Sequence, residues 1–236
     1  MHRSFSRNTA ELEAALGYRF RNAALLEEAL THKSYQHEHA DRLQGFNERL
    51  EFLGDSVLGL AVAEKLFSIP ETFTEADMSK MKAYLVNKNV LFDLGSSLQL
   101  GAYLNLGRGE ESTEGRQKQS IVANAVEAIF GAIFLDAGYE TVRDVILAQY
   151  GTRIDDIVSR RAWYDFKSAL QERCQGAFGV LPDYRVIRQE GEEHRKIFTV
   201  DVFIKGSYYG RGVGKSKKDA QMAAAREALD KLAQLE

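Results

Sequence analysis

Asn47-Glu48-Arg49-Leu50-Glu51-Phe52-Leu53-Gly54-Asp55-Ser56-Val57-Leu58-Gly59-Leu60 opens a segment, running to Phe67, that is apolar around most of a helical circumference. A helix greasy on every side belongs in an interior, so this stretch predicts a central helix of an all-α domain. Three acids interrupt it. Glu48, Glu51 and Asp55 stand at i, i+3 and i+7, on one helical face, amid Leu50, Phe52, Leu53, Val57 and Leu58. Carboxylates in such surroundings pay a desolvation penalty and repel one another, so the pattern calls for a compensating cation.

Working outward, Ser120-Ile121-Val122-Ala123-Asn124-Ala125-Val126-Glu127-Ala128-Ile129-Phe130-Gly131 repeats the theme: a second helix apolar nearly all round, with Asn124 and Glu127 at i, i+3. If the two helices pack face to face, Glu51, Asp55, Asn124 and Glu127 meet, with Glu48 at the edge. An all-oxygen donor set of this kind suits Mg²⁺ or Mn²⁺ and does not suit zinc. Arg49 or nearby lysines, neutralising the acids as buried ion pairs, are the competing explanation.

Helical periodicity extends from Glu11 to Ile157, including Leu25–Leu30, Met78–Leu98 and Val142–Val158. Between Leu106 and Gln119 lies a polar, glycine-punctuated stretch, read as a mobile or functional loop. After Ser159-Arg160-Arg161 the pattern changes to a helix over Asp165–Gln175 and a strand opening at Pro182-Asp183. Alternation then follows through Phe198, Val200, Val202 and Ile204, with a turn at Gly206-Ser207, a strand over Tyr208–Gly214, and an alanine-rich helix over Ser216–Leu232. The expected fold is multidomain: an all-α N-terminal domain over 1–158, a linker over 159–163, and a small α+β module of α-β-β-β-α order over 164–236.

Charge divides at the same place. Residues 1–160 carry 17 Lys/Arg and 23 Asp/Glu, a balance of −6, whereas 161–236 carry 14 and 11, a balance of +3. A basic module is the footprint of a polyanion partner. In Gly214-Lys215-Ser216-Lys217-Lys218 three lysines gather at a helix start, whose free N–H groups already favour phosphate. Such contacts grip a backbone without reading bases, so the expected partner is nucleic acid bound with little sequence preference. Gly214-Lys215-Ser216 is not the end of a nucleotide-binding loop, because Tyr209 stands where that motif needs glycine. His37-Glu38-His39 lacks a second ligand pair for zinc, and Cys174 has no evident histidine partner for nucleophilic chemistry.

Composition closes off other classes. With 236 residues, 44% hydrophobic and 28% charged, the chain has ample material for a core, which excludes disorder and collagen-like repeats. The single cysteine cannot form an internal disulfide. Met-His-Arg-Ser-Phe-Ser-Arg-Asn has no signal-peptide core, and polar residues punctuate the apolar runs, so a soluble, cytoplasmic protein with no membrane role is expected.

Asn47–Ser56, reading NERLEFLGDS, resembles the signature of the bacterial ribonuclease III family, and the C-terminal module is similar to its double-stranded-RNA-binding domain. Leu30-Thr31-His32-Lys33-Ser34-Tyr35, Asp77-Met78-Ser79-Lys80-Met81-Lys82, Ser120–Gly131 and the GVGKSKKDAQMAAA run carry the likeness along the chain. The resemblance implies a metal-dependent endoribonuclease that hydrolyses double-stranded RNA as a homodimer, each subunit cutting one strand to leave 5′-phosphate and 3′-hydroxyl ends, as in rRNA and mRNA maturation. It places Glu51, Asp55, Asn124 and Glu127 at the metal site, assigns Asp55, Glu127 and Glu48 catalytic roles, and puts Phe52 at the dimer interface. In the binding module it assigns RNA contacts to Ser168, Gln171, Glu172, His194, Lys215, Ser216, Lys217 and Lys218. Asn124 departs from the family pattern, which has aspartate there. The lost charge weakens metal binding in expectation and raises an alternative, a catalytically impaired RNA-binding protein.

Overall fold

The structure, a computed structural model, describes residues 9–39, 45–69, 73–160, 164–191 and 196–234. The chain divides into two compact units, Met1–Trp163 and Tyr164–Glu236. The first contains α1 (Ala10–Leu16), α2 (Ala23–Leu30), α3 (Lys33–Glu38), α4 (Glu48–Phe67), α5 (Glu75–Leu85), α6 (Lys88–Ser97), α7 (Arg108–Ser112), α8 (Gln119–Ala137), α9 (Tyr139–Tyr150) and α10 (Arg153–Arg160). Of the linker expected over 159–163, residues 159 and 160 complete α10, and 161–163 lie outside the described residues.

At the centre α8 packs against α2, α4, α6 and α9, burying Ile121, Val122, Ala125, Val126, Ile129, Phe130 and Ile133. In length and composition α8 could cross a membrane, contrary to the expectation that polar residues break up every such run; most of it is instead buried in this unit's core. Its closest neighbour is α4, and two glycines permit the approach. A methyl group on Gly54 would fall inside the radius of the Glu127 backbone carbonyl oxygen, and one on Gly131 would strike the Leu50 carbonyl. Glycine in mid-helix weakens a helix by about 1 kcal/mol relative to alanine, a cost offset here by backbone-to-backbone packing.

Two long periodic stretches are broken by capping. Met78–Leu98 divides where the Asn87 side chain accepts from Asn89 N and Val90 N to start α6, and Val142–Val158 divides at Gly151, whose φ is 51°. The polar stretch before α8, read as a mobile or functional loop, carries regular structure of its own. It forms α7 and a 3₁₀ turn, Gly115–Gln117; Arg116 Nη1 donates to the carbonyls of Gly101 and Leu104 at 2.8 Å each, and Lys118 pairs with Glu110. Beneath it, buried Thr31 and Asn47 join three segments. His32 N donates to Asn105 O at 3.0 Å, Asn105 Nδ2 to Thr31 Oγ1 at 3.1 Å, and Asn47 N to Thr31 O at 2.9 Å.

The second unit runs α11 (Phe166–Phe178), β1 (Asp183–Glu190), β2 (Ile197–Ile204), β3 (Ser207–Gly214) and α12 (Lys217–Ala233), with an antiparallel sheet ordered β1-β2-β3. On the inner face Val200 lies opposite Gly212 and Val202 opposite Gly210. The glycines leave room for Ala220 and Ala224 of α12 to meet the sheet, where any side chain would collide with the helix backbone. Phe166, Leu170 and Cys174 of α11 complete this core. On the outer face Asp201 pairs across the strands with Arg211, at 2.6 and 2.8 Å.

Candidate metal centre and nucleic-acid interface

Glu48, Glu51, Phe52, Asp55, Asn124 and Glu127 line one open cleft of about 530 Å³ at the α4–α8 crossing. All five polar residues of the expected centre are therefore brought together, positioned by the close contact at Gly54. Their burial differs from expectation: Glu48 and Asp55 are exposed, and Glu51, Asn124 and Glu127 are half-buried. The reason lies in the free flank of α4. Phe52 is 79% exposed, Phe67 81% and Leu60 55%, and their spacing puts them within one sector of the helix. The helix is apolar all round because one side packs on α8 and the other remains uncovered in the single chain; the acids occupy the margin between.

Within the cleft, burial and then neighbouring Glu48 push the Glu51 carboxyl up, opposed by the Asn124 side chain and by the charges of Lys88 and Lys33. Glu127 is pushed up to about 7, chiefly by burial and then by the charges of Asp55 and Glu51, with Lys88 pulling the other way. Among the described residues no lysine or arginine pairs with Glu51, Asp55 or Glu127; the recorded pair is Lys33 Nζ to Glu48 Oε1, at 3.1 Å. The ion-pair explanation thus reaches Glu48 alone, and through Lys33 rather than Arg49. No three of the described His, Cys, Asp or Glu side chains close on one metal-sized point. The donor set nevertheless fits a hard dication: carboxylate and amide oxygens line one cleft, and among the described residues Glu51, Asp55 and Glu127 have no ion-pair partner.

The second unit displays the other candidates. Gln171, Glu172, Lys215, Lys217 and Lys218 are exposed. Ser168 and Ser216 have hydroxyls engaged at helix starts: Ser168 Oγ donates to Asp165 Oδ2 at 2.8 Å, and Ser216 Oγ accepts from Asp219 N at 3.1 Å while bonding Asp219 Oδ2 at 2.8 Å. Lys167 Nζ of α11 donates to Gln221 Oε1 of α12 at 2.8 Å, linking the two helices near their starts. His194 lies outside the described residues.

Sequence reasoning missed Lys33, Lys88 and the Gly54–Gly131 contact. Glycine inside an otherwise strong helical pattern was the available signal for the last; for Lys33 there was none, because its contact depends on the Thr31–Asn47–Asn105 junction.

A ribonuclease-III-like family model matches residues 22–154, and the model of the double-stranded RNA binding motif matches 166–232. Ribonuclease 3 of Syntrophotalea carbinolica is 42% identical over 227 residues, covering 96% of this chain and 98% of that protein. The chain belongs to the ribonuclease III family. Ribonuclease 3 of Campylobacter concisus, also 42% identical, covers 96% of this chain and 99% of its own. Among solved structures, the nuclease domain of ribonuclease III from Campylobacter jejuni, described as having a region involved in dimer formation, matches with a TM-score of 0.56 and 42% identity over 60% of this chain and 95% of that one. As a ribonuclease III the chain is a metal-dependent endoribonuclease with a helical nuclease domain and a double-stranded-RNA-binding domain. These relatives lend no support to the alternative of an impaired binding protein.

Proposed function

We propose that this ribonuclease III cleaves double-stranded RNA in the cytoplasm as a homodimer, with Glu51, Asp55, Glu127 and the Asn124 amide oxygen holding Mg²⁺, or Mn²⁺ in its place. The observation that carries this reading is the meeting of these residues in one cleft, where no described lysine or arginine forms an ion pair with Glu51, Asp55 or Glu127. A dication bound there supplies activation of water for attack on the phosphodiester and neutralises charge developing on the phosphate. The residues themselves do the rest. Exposed Asp55 and half-buried Glu51 and Glu127 would hold the cation, with exposed Glu48 at the rim of the cleft. Attack breaks the bond to the 3′-oxygen and leaves 5′-phosphate and 3′-hydroxyl ends.

The uncovered stripe of Phe52, Leu60 and Phe67 is the surface through which two copies associate, each cutting one strand. In the binding module, Lys215, Lys217 and Lys218 meet phosphates between two minor grooves, while Ser168, Gln171, Glu172, Ser216 and His194 contact the grooves themselves. No nucleotide cofactor is required.

A Mg²⁺ titration of duplex-RNA cleavage tests the reading, run beside Asn124→Asp. Both proteins are expected to cut, the variant at lower Mg²⁺, because a carboxylate restores one charge to the donor set. Absence of cleavage by the wild-type chain at every Mg²⁺ and Mn²⁺ concentration would refute it.

A further inference from the structure

Among the described residues Lys33 is the lysine that forms an ion pair with an acid of the cleft, and its place is determined by backbone it does not itself contact. It occupies the first turn of α3, whose entry is held by His32 N donating to Asn105 O at 3.0 Å and by Asn105 N donating to Leu30 O at 2.9 Å. Asn47, immediately before α4, donates its N–H to Thr31 O at 2.9 Å, so the starts of α3 and α4 share one anchor. Thr31 and Asn47 are buried polar residues, and their hydrogen bonds have no competing water. This junction aims Lys33 at Glu48, the first residue of α4, at 3.1 Å, with both side chains about half exposed. On its other side, Ser34 Oγ accepts from Gly107 N at 2.9 Å and Glu38 Oε1 from Arg108 N at 2.8 Å, tying α3 to the folded segment before α8.

We propose that Lys33 is a positioning residue that holds Glu48 at the rim and competes with the divalent cation for it. The inference rests on the cation reading of the cleft given above. Glu51, Asp55 and Glu127 have no such partner among the described residues and remain available; Glu48 joins the cation's surroundings only by giving up Lys33. Because the anchor is made by backbone and by Thr31, Asn47 and Asn105, replacing the lysine side chain leaves it intact. Lys33 therefore sets how many acids the cation commands, and removing its charge tightens the site.

Calorimetric titration of full-length protein with Mn²⁺, without RNA, tests this on the wild type, Lys33→Gln, Lys33→Arg, Glu48→Gln and the Lys33→Gln/Glu48→Gln double variant. Lys33→Gln is expected to bind Mn²⁺ about fivefold more tightly, the size of one partly solvated charge interaction. Lys33→Arg, which keeps the pair, should match the wild type. In the Glu48→Gln background the gain should shrink to about twofold or less, since the effect runs through that carboxylate. Unchanged or weaker binding by Lys33→Gln overturns the proposal, as does a full gain without Glu48, which marks a general field effect. A wild-type chain that takes up no Mn²⁺ fails the underlying cation reading instead, and that titration separates the two failures.

Discussion

Glu127 and Asp201 are carboxylates shifted in opposite directions, and their stability effects carry opposite signs. Burial and the neighbouring acids raise Glu127 to about 7, so in metal-free protein its ionised form is disfavoured by folding. Its unfavourable contribution grows as pH rises from the ordinary carboxylate range through about 7. Glu127→Gln is expected to melt above the wild type at pH 8 in chelator, to lose that advantage near pH 4, and to gain less from added Mg²⁺, all readable by thermal unfolding. Asp201 is held low by the hydrogen bonds and charge of Arg211. Its contribution is complete above the ordinary carboxylate range and is lost as pH falls through its lowered folded value. Asp201→Asn should therefore unfold more easily than the wild type at pH 7, with the gap closing on acidification.

Between α4 and α8 the decisive quantity is separation. Gly54→Ala places a methyl group against the Glu127 carbonyl, and because that obstacle is backbone, the helices must part. The expected cost is about 2 kcal/mol in chemical denaturation, together with weakened Mn²⁺ binding although no donor has been altered. The helices themselves were legible from periodicity, and the placing of Glu48, Glu51 and Asp55 at i, i+3 and i+7 and of Asn124 and Glu127 at i, i+3 was enough to predict their convergence. Depth was not legible. A helix apolar all round reads as wholly interior whether its far side meets the same chain or a second one, so the exposure of Glu48 and Asp55 followed from Phe52, Leu60 and Phe67 being uncovered. Nor could spacing reveal that Arg116 and Lys118 find backbone and carboxylate partners that fold the stretch before α8.

Across the whole molecule, an acidic nuclease unit is paired with a basic binding module, and affinity and chemistry are carried by separate residues. Lys217→Ala with Lys218→Ala should weaken duplex binding and reduce its log–log salt slope by roughly 2, as two phosphate contacts are lost, while Mn²⁺ binding in the nuclease unit stays unchanged. Phe52→Asp should shift the protein towards monomer in sedimentation measurements and lower cleavage with little change in thermal stability. The Val200–Gly212 and Val202–Gly210 pairs and the Gly54–Gly131 contact share one economy: where two elements must touch, the sequence omits side chains. For the cleft this works as a calliper whose jaw width is set by absent methyl groups. Such an instrument keeps its gap whatever its jaws are tipped with, so an amide or an acid at position 124 leaves the width unchanged. It cannot tolerate thicker jaws, so drift in this lineage should visit the tips and spare the hinge.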